Sequence, residues 1–494
     1  MLLHFLTLAP FIAALLMVAA SGRDSKSAFR LAVVFGSIFA AASIGLLLRG
    51  ASITEPMEWF FVPGANITVY YALASHGFSM WLVFVSCLVS LAALVAGRDS
   101  FEGNYRNFAI GVFALLGAMN GMFLAADAVL FFFFFEAMVF PAAMLIASYG
   151  GAERKKAAIR FAIYTLVGSA PLLMGLWYLM TLAESSAPFE LITIMLSLPE
   201  STRNLLLVCF ALAFLVKSPI FPFHGWQAKT YAEAPAPVSA ILTGAMSKAG
   251  IYGFLFWGLP LLSSDSLTSI FIWLGLITAV YGALMALRAT DAKNLLAFSS
   301  MGHLGLAMAG LFVLSETSTP AVLVLLVAHA LSASALFILI GAAERFAGSR
   351  DLGKMGGFVK SSPVFGFLFG FAGIVAVAVP GTAGFVGEFL VLLSLWNAGP
   401  LPALIAGICI VLSAAYMLRL IAAVIFGKPA AVRGETKISA AEVIAVLPML
   451  LLAIYFGVRP APIIDALAYR ESPESVFEET DSAADEAEEN ENVQ

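Results

Sequence analysis

The sequence predicts an all-α integral membrane protein, and three observations carry that prediction. The 494-residue chain is 61% hydrophobic and only 12% charged, where a soluble domain carries roughly 25% charged residues. Its apolar runs are continuous and about 20 residues long, the length of a spanning helix, whereas barrel strands alternate and stop after about ten. Its basic residues also fall almost entirely in every second connection, which only a multi-pass topology explains.

About fourteen apolar stretches follow one another, centred near residues 11, 38, 84, 117, 138, 170, 213, 248, 277, 304, 332, 377, 412 and 448. The first reads as a retained helix, because no Lys or Arg precedes Arg23 and the run is long for a signal peptide. Residues 1–105 hold helices one to three, 106–260 a first five-helix unit, 261–428 a second, and 429–470 the last helix. Residues 471–494 carry ten acidic residues and no Lys or Arg, so they read as a solvated extension rather than a folded element. With the tail set aside, the net charge changes from −5 to +5.

Orientation follows from the basic residues. With the N-terminus outside, twenty Lys and Arg fall on the inner side and only Arg49, Arg203, Arg459 and Arg470 on the outer side. Cytoplasmic connections are enriched in these residues, so both termini are expected to face outward.

Proline and glycine break two helices in mid-membrane. One break runs Lys217-Ser218-Pro219-Ile220-Phe221-Pro222-Phe223-His224-Gly225-Trp226, the other Val379-Pro380-Gly381-Thr382-Ala383-Gly384-Phe385-Val386-Gly387-Glu388. Proline removes a backbone donor and bends the helix. Paired interruptions in two halves point to a transport site. They fall in helices seven and twelve, five apart, so helices 4–8 and 9–13 are expected to form two inverted five-helix repeats.

Ionisable residues in hydrocarbon are costly and usually mark an ion pathway. Glu136 closes a run of five phenylalanines, Lys217 and Lys248 lie in apolar segments, and His224, His303, His329 and Glu388 complete a series along the chain. A carboxylate at Glu136 beside Lys217 would hold the lysine charged, and separation would favour proton release. Histidine titrates near neutrality and suits a relay. His4 and His76 lie near helix ends and add nothing to this series. Cys87, Cys209 and Cys409 are dispersed in apolar stretches, with no CxxC pair and no dinucleotide fingerprint after a strand, so no redox centre or metal site is expected.

At these residues the chain resembles the antiporter-like subunits of respiratory complex I, most closely chain M, the bacterial counterpart of mitochondrial subunit 4. The resemblance spans about residues 70–460 and rests on Phe134-Phe135-Glu136-Ala137-Met138, Lys217 to Trp226, Glu233-Ala234-Pro235, Thr290 to Ser300, and Gly381 to Phe389. It implies fourteen helices with inverted repeats, a Glu136–Lys217 modulating pair, Lys248 as central relay, His303 and His329 as onward carriers, and Glu388 as outlet. It implies a proton-translocating subunit of an NADH–quinone oxidoreductase in a bacterial cytoplasmic membrane. NADH, FMN, iron–sulfur clusters and quinone would belong to partner subunits. The partners implied are other membrane-arm subunits, neighbouring antiporter-like subunits among them, together with the lipid bilayer but no nucleic acid. A multisubunit cation/proton antiporter and a membrane-bound hydrogenase-like complex are the alternatives. The chain departs from the family where Gln227-Ala228-Lys229-Thr230-Tyr231 replaces the usual Leu-Pro-Asp-Ala-His, and in its acidic tail.

Overall fold

The computed structural model describes residues 1–19, 25–62, 67–101, 103–183, 186–428 and 436–467. The acidic tail, Arg23, Arg433 and Arg470 lie outside these residues. The chain is a multi-pass helical membrane protein. Eleven helical stretches among the described residues are long and apolar enough to cross a bilayer.

α1 (Leu2–Ala19) and α2 (Ser25–Arg49) lead into two small antiparallel ribbons. One pairs β1 (Ser52–Ile53) with β4 (Ala74–Ser75), the other β2 (Met57–Val62) with β3 (Ile67–Tyr71). Hydropathy does not foresee these strands, because a short amphipathic segment is overshadowed by the long apolar runs around it. Their β-branched and aromatic content favours strands, with Ile67 and Val69 buried and Trp59, Phe60 and Phe61 exposed.

The bundle continues with α3 (Gly77–Ala96), α4 (Tyr105–Leu124), α5 (Ala128–Ala137), α6 (Val139–Tyr149), α7 (Arg154–Met180), the short α8 (Pro188–Ser197) and α9 (Glu200–Lys217). α10 (Gln227–Glu233) and α11 (Ala236–Gly244) precede a 3-10 turn, Met246–Lys248, then α12 (Ala249–Gly253) and a π turn, Phe254–Gly258. The second half holds α13 (Asp265–Arg288), α14 (Ala292–Leu311), α15 (Ser318–Ala347), α16 (Phe358–Ser361), α17 (Pro363–Ala376), α18 (Ala383–Ala398), α19 (Pro400–Ile421), α20 (Ala440–Val458) and α21 (Ala461–Ile464). Of the positions where the sequence places a span, α9, α14 and the α17–α18 pair fall outside the eleven, since charge, polar residues or a break interrupts each one.

Burial separates a centre from a rim. The Ala236–Leu261 stretch and α15 are 94% buried over their apolar windows, while α2 is 28% and α7 33% buried. A helix apolar all round and buried all round is a core helix, and Lys248 and His329 lie on two of these. The exposed Leu, Ile and Val of α2, α7 and α19 present the face that lipid or a neighbouring subunit would cover.

Two polar clusters tie opposite ends of the bundle. At one end Asp127 caps α5, accepting from Val129 N at 2.8 Å and Leu130 N at 2.9 Å, and also from Tyr70 N at 3.1 Å and the Ser186 hydroxyl. It thereby anchors the ribbon to the helix that carries Glu136. At the other end Arg345 grips Glu442 through two bonds of 2.6 and 2.9 Å, joining α15 to α20. Lys293 pairs with Glu344 at 2.9 Å, and Arg350 reaches Asp291 at 3.1 Å and Glu233 at 3.3 Å. With Asp99 and Tyr149, all of these groups except Asp291 line one cavity of about 450 Å³, so helix ends that charge alternation assigns to one side do meet there.

Burial pushes the Asp127 carboxyl up to about 6, although its hydrogen bonds oppose the rise. A raised folded value means that the protonated form suits the folded site better. The stability it adds is complete below the usual carboxylate value and is lost as pH rises through about 6. At pH 7, Asp127→Asn should therefore keep the thermal stability of the purified protein and flatten its pH dependence, whereas Asp127→Ala should cost about 1 kcal/mol, the value of an N-cap. An equal loss in both variants, measured by thermal unfolding, would count against this anchor.

Candidate functional site

Every charge of the intramembrane series on a helix lies at or beside an irregularity in that helix. Glu136 sits at the end of α5, next to the Met138 junction with α6. Lys217 is the last residue of α9, Lys248 ends the 3-10 turn, and Glu388 lies in α18 just past the 377–382 break. The sequence foresees the breaks after Lys217 and before Glu388. It does not foresee those at Met138 and at Ala245–Lys248, which no proline–glycine pair announces. In each case, backbone carbonyls freed inside the membrane need donors, and the side chains of the site supply several.

Lys217 Nζ donates to the Phe135 carbonyl at 2.9 Å and sits 4.3 Å from the centre of the Phe135 ring. Glu136 acts on it electrostatically, but the two are not in ion-pair contact, and both buried carboxylate oxygens of Glu136 lack a protein partner. The expected pair is thus adjacent rather than bonded. The ammonium takes the carbonyl because α5 ends there and leaves it accessible.

Lys248 Nζ donates to the Thr243 carbonyl at 2.9 Å and makes a long 3.4 Å contact with His329 Nδ1. A lysine ammonium can only donate, so with Lys248 charged His329 accepts at Nδ1 and carries its hydrogen on Nε2, an atom with no protein partner. The His329 and His303 rings stack at 5.1 Å. His303 Nδ1 faces the Ser299 carbonyl at 2.8 Å and Nε2 faces Glu388 Oε1 at 3.1 Å. Because a carbonyl only accepts, Nδ1 holds a hydrogen, and one proton must lie between Nε2 and the carboxyl. That pair is either imidazolium with carboxylate or imidazole with carboxylic acid. The two states differ by one proton transfer over one hydrogen bond.

Packing sets this chain of contacts. A Cβ on Gly387 would lie 2.6 Å from Leu325 Cα, so glycine there lets α18 press onto α15 and brings Glu388 toward His303. Gly305 and Gly275 likewise allow α14 and α13 to touch through their backbones, where a Cβ on Gly305 would lie 2.6 Å from the Gly275 carbonyl.

Lys248, His329, His303 and Glu388 therefore form one continuous series, and Lys217 with Glu136 lies beside it. The Ser218 hydroxyl donates to the Ser247 carbonyl at 2.9 Å and links the residue after Lys217 to the one before Lys248. His224 does not join. It stacks on Phe221 at 5.6 Å and meets the tilted Tyr281 ring at 4.8 Å, because the turns after α9 direct its ring toward α13.

Sequence reasoning passed over several polar residues around this series. Thr243 Oγ1 donates to Ser300 Oγ at 2.9 Å, Ser299 Oγ and Tyr416 Oη lie 3.0 Å apart, and Gln227 is fully buried. His76, set aside as a helix-end residue, contacts Tyr252 Oη at 3.1 Å. The signal was the placing of Ser and Thr close to Lys217, Lys248 and His303 in otherwise apolar runs.

Comparison with known proteins identifies the family. The NADH:quinone oxidoreductase/Mrp antiporter transmembrane family matches residues 125–413, which include Glu136 through Glu388. NADH-quinone oxidoreductase subunit M of Pseudomonas aeruginosa is 32% identical over 493 residues, covering 95% of this chain and 96% of that protein. The same subunit of Escherichia coli is 30% identical, covering 94% and 96%. A chain of respiratory complex I from Thermus thermophilus superposes with a TM-score of 0.85 at 28% identity, covering 94% of this chain and 97% of that one. The chain belongs to the NADH:quinone oxidoreductase/Mrp antiporter membrane family, among the subunit M proteins.

Proposed function

We propose that this chain is the proton-translocating subunit M of an NADH-quinone oxidoreductase in a bacterial cytoplasmic membrane, working within a multisubunit membrane arm beside other antiporter-like subunits. The observation that carries the reading is the unbroken Lys248–His329–His303–Glu388 series buried across the bundle. Near-full-length similarity to subunit M proteins favours this over a cation/proton antiporter or a hydrogenase-like complex. Electron transfer from NADH through FMN and iron–sulfur clusters to quinone is assigned to partner subunits, and this chain moves protons alone.

In this mechanism Glu136 governs whether Lys217 keeps its proton. Lys248 receives a proton from that side and passes it to His329, then to His303 and Glu388. The shared proton of the His303–Glu388 pair lets each arriving proton displace one outward. Fourteen crossings, ten of them in two inverted five-helix repeats, fit the breaks at residues 218–226 and 377–382. Both termini would then lie on the periplasmic side, as the basic residues favour.

Orientation is open to a labelling test. A cysteine replacing the exposed Met57 should react with an impermeant maleimide in spheroplasts, and one replacing Lys156 only in inverted vesicles. The reverse pattern refutes the orientation.

The modulating pair predicts that Glu136→Gln assembles but pumps slower by about an order of magnitude or more, while Glu136→Asp retains more activity because the charge stays. Normal NADH-driven proton translocation in the Gln variant would sink the assignment.

For the outlet, Glu388→Gln cannot take up or release the shared proton, so pumping should slow in an intact complex. Glu388→Lys should keep part of it, because an amine at this place can still cycle a proton. Wild-type pumping in Glu388→Gln, or loss of the complex without any separate pumping defect, would leave Glu388 a merely structural residue.

A further inference from the structure

α10 lies in the chain between two interrupted helices and is tied to both by hydrogen bonds. At its start, Trp226 Nε1 donates to the Val216 carbonyl of α9 at 2.9 Å, beside Lys217. At its far turn, Tyr231 Oη donates to the Leu242 carbonyl of α11 at 3.1 Å, just before the turn that carries Lys248. Gln227 lies between these anchors. Its side chain is 0% exposed, and neither Oε1 nor Nε2 is in hydrogen-bond geometry with any protein group. The Tyr231 hydroxyl lies beside both Gln227 and Ser247.

Buried polar groups are bonded to protein or to ordered water, and a dry amide is costly. An amide donates and accepts at once, which suits it to hold water that must do the same. The surroundings are polar: Ser247 Oγ donates to the Thr243 carbonyl at 3.0 Å, the same carbonyl that Lys248 Nζ engages. The Ser218–Ser247 contact brings the Lys217 end to the same place.

We propose that Gln227 binds buried water between the Lys217 and Lys248 breaks and is, with Tyr231 and Ser247, the positioning group for proton transfer between the two lysines. This rests on the proton-relay reading and names a residue it did not use. The amide itself passes no proton. Water held by Gln227 accepts one from the Lys217 side as it gives another toward Lys248, which begins neutral and ends charged. Each oxygen in between gains and loses one proton, so no charge remains on the path.

Gln227→Met and Gln227→Asn, with Tyr231→Phe and Lys248→Ala for comparison, are measured in the intact complex in inverted vesicles. A space-filling role predicts that the methionine variant, which removes an unsatisfied amide at similar length, performs as well as the native chain or better. The water-holding role predicts instead that Gln227→Met assembles with unchanged or higher thermal stability but translocates protons about tenfold slower, the loss of one ordinary hydrogen bond from the path. Its solvent deuterium isotope effect on pumping should rise, Gln227→Asn should recover part of the rate, and Tyr231→Phe should slow pumping without loss of assembly. Wild-type pumping in Gln227→Met overturns the proposal, as does an asparagine variant no better than methionine. Wild-type pumping in Lys248→Ala overturns the relay reading itself, while a slow Lys248→Ala beside a normal Gln227→Met removes only the role of Gln227.

Discussion

The structure turns on backbone carbonyls set free inside a bilayer. A regular helix satisfies its own groups, and an interrupted one cannot, so each break demands donors from elsewhere in the bundle. Here those donors include the charged and polar side chains of the site: Lys217 on Phe135, Lys248 on Thr243, Trp226 on Val216 and Tyr231 on Leu242. Lys248 is thus held by the interruption it sits in, and Lys217 by the α5–α6 junction. The same constraint keeps polar groups close together without forcing them into tight ion pairs, which leaves room for protons to move.

Close helix packing supplies the second condition. The stacked histidines and the His303–Glu388 contact need α14, α15 and α18 to approach within side-chain reach, and glycine at 387 removes the Cβ atom that would hold α18 off α15. In a membrane, where apolar burial does not drive helices together, such close backbone contact is a main source of association. A single added methyl group at Gly387 would therefore act on the proton series without touching any of its members.

The clusters at the two ends of the bundle have a different character from the central series. Arg345–Glu442 and the Arg350 network are paired and satisfied, as structural ion pairs are. Along the centre, Glu136, Gln227 and His329 keep buried polar atoms without protein partners. Satisfied charges hold helix ends in place, and the unpartnered atoms lie along the proposed relay.

The sequence by itself determined the class and the cast. Long apolar runs exclude a soluble fold, basic residues alternate by connection, and Glu136, Lys217, Lys248, His303, His329 and Glu388 stand out because charge in hydrocarbon is rare. The two breaks at Pro219 and Pro380 were legible for the same reason, since proline and glycine act locally. Only the tertiary structure decided which of these residues meet. His303 and Glu388 are 85 positions apart and Lys248 and His329 are 81 apart, and no periodicity encodes such contacts. Tertiary packing also set His224 aside, buried Gln227 beside Tyr231, and folded residues 52–62 and 67–75 into ribbons. Each outcome depends on surfaces contributed by distant helices, which a one-dimensional pattern does not contain.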